Sequence, residues 1–380
     1  MPFLLWLDHD TRLDDQTRPD VFLPAPPPTL KPEPDGQTTP FCCENGVLQE
    51  EFLSTGESFQ SLAFRFRLGH ETVRVIVKET VQVIWRNLQP QEMPVPDKEA
   101  WEQIANGFYE RWQFPLCASA VDGKHVQLKA PADSSSQYYN YKGHHSIVLM
   151  AICDSKFVVI DVGAYGSSSD GGIFQNSNFF QLLRTKRLHL PDPAKIPNTD
   201  IEAPYVFVGD EAFPLIPNLM RPFPQRDLSD EKRIFNYRMS RARKQIECAF
   251  GILSSMWRIL RKPVEVQVDF ATDIVKATCI LHNYIQNRES ERIKEVGTIT
   301  DDTNSHLIAT TAKSVGRQSE EGKEIRNTFM NYFTSPIGSL PWQTDMLTNL
   351  PNLNKFWAME KQQQQQQQRQ QVSSNSKNTF

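Results

Sequence analysis

The chain has little of what usually announces a function. Its 380 residues carry no excess of positive charge: 41 lysines and arginines stand against 45 acids, a formal net charge of −4. Bulk charge therefore gives no reason to expect a nucleic-acid binder. No apolar run approaches the roughly 20 residues of a membrane span, so a helical membrane protein is not expected. The first residues, MPFLLWLDHD, lack a basic leader and a small-residue cleavage site, so no secretory signal is expected. None of the six cysteines falls into a Cys-x-x-Cys pair. Cys117, Cys153, Cys248 and Cys279 lie within apolar runs and read as core thiols of a protein in a reducing compartment. No glycine-rich phosphate loop with a following lysine is present, which leaves ATP use unsupported. Ser167, Ser168 and Ser169 have no paired base, which argues against a serine hydrolase.

What is there is unevenly spread. Residues 1–57 hold 11 acids and 3 bases, whereas residues 221–262 hold 11 bases and 4 acids. Residues 1–45 are rich in Pro and Asp and read as a disordered leader. Residues 46–98 read as helical. A first helix fits 58–67, with Phe59, Leu62, Ala63 and Phe66 inward, and Leu68-Gly69 makes a turn. A second helix fits 71–88, with Val73, Ile76, Val77, Thr80, Val81 and Ile84 inward. Two short helices joined at a glycine match a helix-turn-helix or an ordinary helical hairpin; in the first case Arg74 and Lys78 would face DNA. The Pro-rich stretch 89–98 marks a boundary and a short helix is expected over 97–111.

From residue 117 the pattern turns to strands. Runs at 117–121, 125–129, 146–153, 157–163 and 205–209 are expected as strands, with a helix over 173–184 between the last two. A long helix over 236–262 and a buried helix over 270–287 follow. Strands with helices interleaved later predict an α/β fold, a mixed sheet flanked by helices, over residues 99–290. Residues 291–345 read as a partly ordered extension with a short helix at 327–333, and 346–380 as a Gln-rich tail.

Three acids stand out. Asp122 follows the apolar run ASAV and Asp210 follows YVFVG, so each is expected where a strand stops, the place where open α/β sheets build sites. Glu247 is a single acid on the long basic helix, beside the stripe of Ile246, Phe250, Leu253, Trp257 and Leu260. Each has a plainer alternative: Asp122 in an Asp-Gly hairpin turn, Asp210 as a helix N-cap, Glu247 paired with Arg243 one turn earlier. Brought together, three carboxylates repel unless a cation holds them, and Mg2+ or Mn2+ accepts such ligands while leaving positions open for phosphate oxygens. Two such ions activate the attacking water and stabilise the leaving oxygen of an in-line displacement at phosphorus. Arg241, Arg243, Lys244 and Arg258 are then expected to hold a DNA backbone, with Lys142 as a further phosphate contact. His144, His145 and His282 read as structural histidines.

The segments VDGKHVQLKAP, YYNYKGHHSIVLMAICD, GSSSDGGIF, VGDEAFPL and FNYRMSRARKQIECAFGILSSMWRIL with LHNYI resemble, in order, the DDE nuclease domain of PIF/Harbinger transposases and their domesticated, transposase-derived nucleases. The resemblance covers residues 53–343. It implies an RNase H-like sheet, a catalytic and metal-binding triad at Asp122, Asp210 and Glu247, a divalent metal, double-stranded DNA as substrate, and a nuclear location. It also implies a Myb-like DNA-binding partner protein and a homodimer on two DNA ends. Two departures are visible: residues 1–45 do not match the family's N-terminal helix, and Ser169 precedes Asp170 where the family has His-Asp, so Asp170 is expected to support the site without binding metal. The expected function is metal-dependent DNA cleavage, with a domesticated DNA- or protein-binding module that keeps the fold without cleavage as the alternative.

Overall fold

A computed structural model describes residues 40–131, 138–140, 143–155, 170–224, 228–296 and 318–343. The strand expected over 157–163, Lys142, most of the leader and the Gln-rich tail lie outside the described residues. In chain order come α1 (Pro40–Thr55), α2 (Phe59–Phe66), α3 (His70–Glu92), α4 (Lys98–Trp112), β1 (Cys117–Gln127), β2 (Ser146–Cys153), α5 (Asp170–Asn176), α6 (Asn178–Arg184), β3 (Ala194–Lys195), β4 (Glu202–Ala203), β5 (Val206–Val208), β6 (Leu219–Met220), α7 (Asp230–Met256), α8 (Val268–Val296) and α9 (Glu320–Thr334). Single 3-10 turns follow α7 at Arg258–Arg261 and α9 at Pro341–Gln343.

The helix starts follow from local chemistry. Ser58 Oγ accepts the Ser61 N–H at 3.1 Å and the Asp97 carboxylate accepts the Ala100 N–H at 2.8 Å. Each cap satisfies a donor that has no intrahelical partner, worth about 1 kcal/mol. Arg67, in the left-handed region at φ 53°, closes α2. α3 runs through Pro90 to Glu92, so the break expected from residue 89 comes only at Met93. The helix expected over 173–184 is two helices, because Ser177 accepts the Phe180 N–H and starts a second one. The helix expected at 327–333 begins earlier, at Glu320, where Ser319 caps it. α3 buries Val73, Val77 and Val81, and packs against α1, α2 and α8.

Four strands form a mixed sheet in the order β2-β1-β5-β6, with β1 and β2 antiparallel and β1, β5 and β6 parallel. The largest correction concerns Asp122-Gly123. It makes no hairpin turn, and Asp122 does not end a strand: β1 runs straight through it, pairing from Ala120 opposite Cys153 to Gln127 opposite Ser146. All eight residues of β2 are buried. A chain reversal at Gly123 would strip half of β2 of its hydrogen-bonding partner, a cost that outweighs a local turn preference. Beyond β1, Lys129 donates its N–H to Val264 O at 3.1 Å and Val264 donates to Gln127 O at 2.9 Å, tying the sheet to the segment after the first 3-10 turn. α7 and α4 cover β1, and one continuous core joins the helical N-terminal part to the sheet. No helix among the described residues is long and apolar enough to cross a membrane.

A candidate carboxylate site beyond the parallel strands

Strand register brings two aspartates together. β1 and β5 run parallel with Ala120 opposite Val208, and Asp122 and Asp210 each stand two residues further on. Asp122 accepts the Gly123 N–H at 2.9 Å. Asp210 accepts the Ala212 N–H at 2.8 Å, the mark of an Asx turn, and no helix starts there, so it is not an N-cap. Gly209 before it has no room for a side chain: a Cβ would stand 2.9 Å from the Phe213 ring and 3.1 Å from Val121.

Glu247 reaches the same place from α7. Its Oε1 lies 2.5 Å from Nη2 of Arg243, and Nη1 of that guanidinium lies 3.6 Å from Oδ2 of Asp122. The three side chains keep only 12–19% of their surface exposed. The pair that offered a plain explanation of Glu247 therefore exists, and it points into the aspartate site rather than away from it. Arg243 Nη1 is buried and has no hydrogen bond; at 3.6 Å its contact with Asp122 is ionic only.

Electrostatics link the three acids. Burial pushes Asp122 up to about 7; Arg243 opposes this, and Asp210 and Glu247 add to it. Asp210 and Glu247 are also raised, in each case first by burial. Arg243 pulls both down, and the Asp210 charge pushes Glu247 up. Three carboxylates thus act on one another in a desolvated space, with Arg243 between Asp122 and Glu247, Arg221 acting on Asp210 and Lys244 on Glu247.

Hard oxygen donors of this kind suit a divalent metal. The present spacing does not: among the described residues no three His, Cys, Asp or Glu side chains form a ready ligand set, and the Arg243 guanidinium stands between Asp122 and Glu247.

The cations of α7 and the turn after it do not make the open grip expected of them. Arg241 lies 4.2 Å over the Trp342 ring and 5.7 Å from that of Trp112, and donates to Gln113 Oε1 at 3.2 Å. Lys244 is buried, Arg243 serves the carboxylates, and Arg258 alone of the four is exposed. Arg74 is paired with Glu71 at 2.7 Å, and Lys78 is exposed. Asp170 is the first residue of α5, and its side chain lies outside the described residues. His144 meets Gln127 at 3.2 Å and His145 packs on Tyr139, so neither joins the acids. Sequence reading overlooked Lys124, two residues from Asp122 and therefore on the same face of β1, with its ammonium 5.9 Å from the Phe250 ring of α7. The period of two was the available signal.

Residues 121–283, which span all three acids, match the profile of the DDE superfamily endonucleases. The chain carries a DDE superfamily endonuclease domain. It is 28% identical over 254 residues to the ALP1-like protein of Arabidopsis thaliana, covering 64% of this chain and 60% of that one. It is 28% identical over 243 residues to the Arabidopsis thaliana protein named antagonist of like heterochromatin protein 1, covering 61% and 59%. HARBI1 of Mus musculus is 25% identical over 247 residues, covering 62% and 66%. The matched region is thus similar to DDE endonucleases and to the proteins named ALP1-like and HARBI1, and the chain spans about 60% of the length of the first two relatives. No solved structure matches it.

Proposed function

We propose that this domain hydrolyses DNA phosphodiesters with the help of a divalent metal, and that its sheet is the RNase H-like one of DDE nucleases. One observation carries the reading: Asp122, Asp210 and Glu247, from a strand, the end of its parallel neighbour and a helix, act on one another in one desolvated site. The family profile over the same residues and the word nuclease in the name of HARBI1 support it.

In this reading Asp122, Asp210 and Glu247 would hold Mg2+ or Mn2+ once Arg243 gave way, and the ion would supply activation of water and stabilisation of the leaving oxygen. The protein's own part is positional. Backbone N–H groups of Gly123 and Ala212 fix the two aspartate carboxylates, and α7 fixes Glu247. Arg243 is the counter-ion of Asp122 and Glu247, and a metal held by these acids would take over that part and leave its guanidinium for a substrate phosphate. Lys124 and the exposed Arg258 provide further positive charge beside α7. Double-stranded DNA is the substrate, the nucleus the location, and a Myb-like DNA-binding protein and a second copy of the chain the expected partners. α2 and α3 form the helix-turn-helix-like part.

The test is nicking of supercoiled plasmid in Mn2+. Wild type nicks, and Asp210→Ala binds DNA without nicking. Equal nicking by the two refutes the assignment. A second reading, a fold retained for binding without cleavage, is favoured by one observation, the guanidinium wedged between two of the acids; DNA binding by both proteins with nicking by neither decides for it.

A further inference from the structure

A second charged site lies at the far end of β1. A cleft of about 670 Å³ opens between the α2–α3 hairpin and the chain around Lys129 and Lys262. His70, Arg74 and Lys78, spaced i, i+4 and i+8, form one stripe of α3 and line one wall. Lys129 and Lys262 line the other. The rim also holds two acids, both already engaged: Glu265 pairs with Lys129 at 3.3 Å, and Glu57 lies 3.7 Å from Arg65. Lys78 and Lys262 are exposed and have no ion-pair or hydrogen-bond partner among the described residues. Lys262 is seated deliberately: its stem crosses Gly56, at φ +68°, where a Cβ would stand 2.7 Å from its Cε.

The floor is aromatic. Half-buried Phe59 stacks on Phe52 at 4.9 Å and 11°, runs parallel to Phe270 at 6.2 Å and 4°, and meets the edge of His70 at 6.1 Å. Phe52 and Phe270 are buried and hold Phe59 in place, so Phe59 is the ring of the three left partly open; a cationic rim beside an open ring is the combination that holds an unpaired nucleic-acid strand, phosphates on the lysines and a base against the ring. A helix working alone in a major groove needs its outer face clear; here the α3 stripe is walled by the sheet end. Lys129 lies seven residues of extended chain beyond Asp122, about 23 Å, so the cleft is separate from the acids.

We propose that this cleft binds a single-stranded stretch of DNA, about seven base-pair steps of 3.4 Å from the carboxylate site. The proposal rests on the nucleic-acid reading of the domain, yet its test needs no cleavage. Anisotropy of a labelled single-stranded oligothymidylate of about 12 nucleotides is measured in chelator against wild type, the Lys78→Gln/Lys262→Gln double variant and a Lys195→Gln control, whose lysine is exposed and paired with Asp200. Wild type and control bind the single strand more tightly than a blunt duplex. The double variant binds it about tenfold more weakly, and its slope of log affinity on log salt falls by about 1.4, near 0.7 for each lysine removed. Unchanged affinity and slope in the double variant overturn the proposal. So does an equal loss for single strand and blunt duplex, which would make this a duplex-backbone contact, and so does an abasic strand that binds as tightly as oligothymidylate. A chain that binds the strand but nicks no plasmid refutes the nuclease reading alone; one that nicks plasmid yet gives any of these contrary results refutes the cleft alone.

Discussion

The carboxylate site and the aromatic cleft use positive charge in opposite ways. At the first, Arg243 is enclosed by Asp122 and Glu247 and leaves one donor without a hydrogen bond. At the second, Lys78 and Lys262 keep their water and have no acid partner among the described residues. An arginine can bear burial because its fork addresses two carboxylates at once; a lysine in the same place would lose more hydration for fewer bonds. The lesson concerns where usable charge comes from. The densest run of bases, on α7, is spent inside the protein, whereas the cations open to a ligand come from residues far apart in sequence.

The comparison is tested most severely at Asp210. Asp210→Ala is expected to lower nicking by about 10³-fold or more while leaving single-strand binding in the cleft intact; loss of both together would mean that the two sites are one. Next is Arg243→Gln. Removing the guanidinium that touches these two largely buried carboxylates is expected to cost about 3 kcal/mol, read as a lower melting temperature in chelator. Mn2+ should restore much of the loss, and a variant as stable as wild type in chelator contradicts the counter-ion role. A smaller effect follows from Asp122, whose folded-state value of about 7 lies above the unfolded value near 3.9. The fold binds the proton more tightly than the unfolded chain, so metal-free stability from this group falls as pH rises from about 4 to 7 and changes little beyond. Asp122→Asn removes that fall, so its melting temperature should gain on wild type between about pH 5 and about pH 7.5; a constant gap argues against it. Smallest is Ser58→Ala, which frees the Ser61 N–H beside the cleft and should cost about 1 kcal/mol with no change in nicking.

These residues also show what could be read in advance. Ser58 and Asp97 mark helix starts through their own side chains, and Ser146–Cys153 is apolar enough to announce a buried strand, so those elements were legible. The three acids were found by residue type and order. Asp122-Gly123 misled because turn chemistry is local, while the partner that overrides it, β2, lies some thirty residues on. Arg241 and Lys244 misled for a different reason. α7 is packed on several sides, by β1, β2, α4 and α9, and a helix with cations around much of its circumference does not reveal which of them face the interior. The cleft was half visible, as Arg74 and Lys78 on α3; the opposite wall needed the bridge between Leu128 and Val264, which no periodicity encodes.

Arg238 carries one more consequence. It is almost wholly buried on α7, donates to Gly338 O at 3.2 Å, Gln343 Oε1 at 3.1 Å and Gln113 O, and lies 4.3 Å from the Phe333 ring. Five residues on, the same helix presents Arg243, and four after that Glu247. The segment after α9 is therefore a clamp on the beam that aims the acid site: a protease cut or a premature stop before residue 338 would take two of the three acceptors from a buried guanidinium and loosen α7, disturbing a site whose own residues were all untouched.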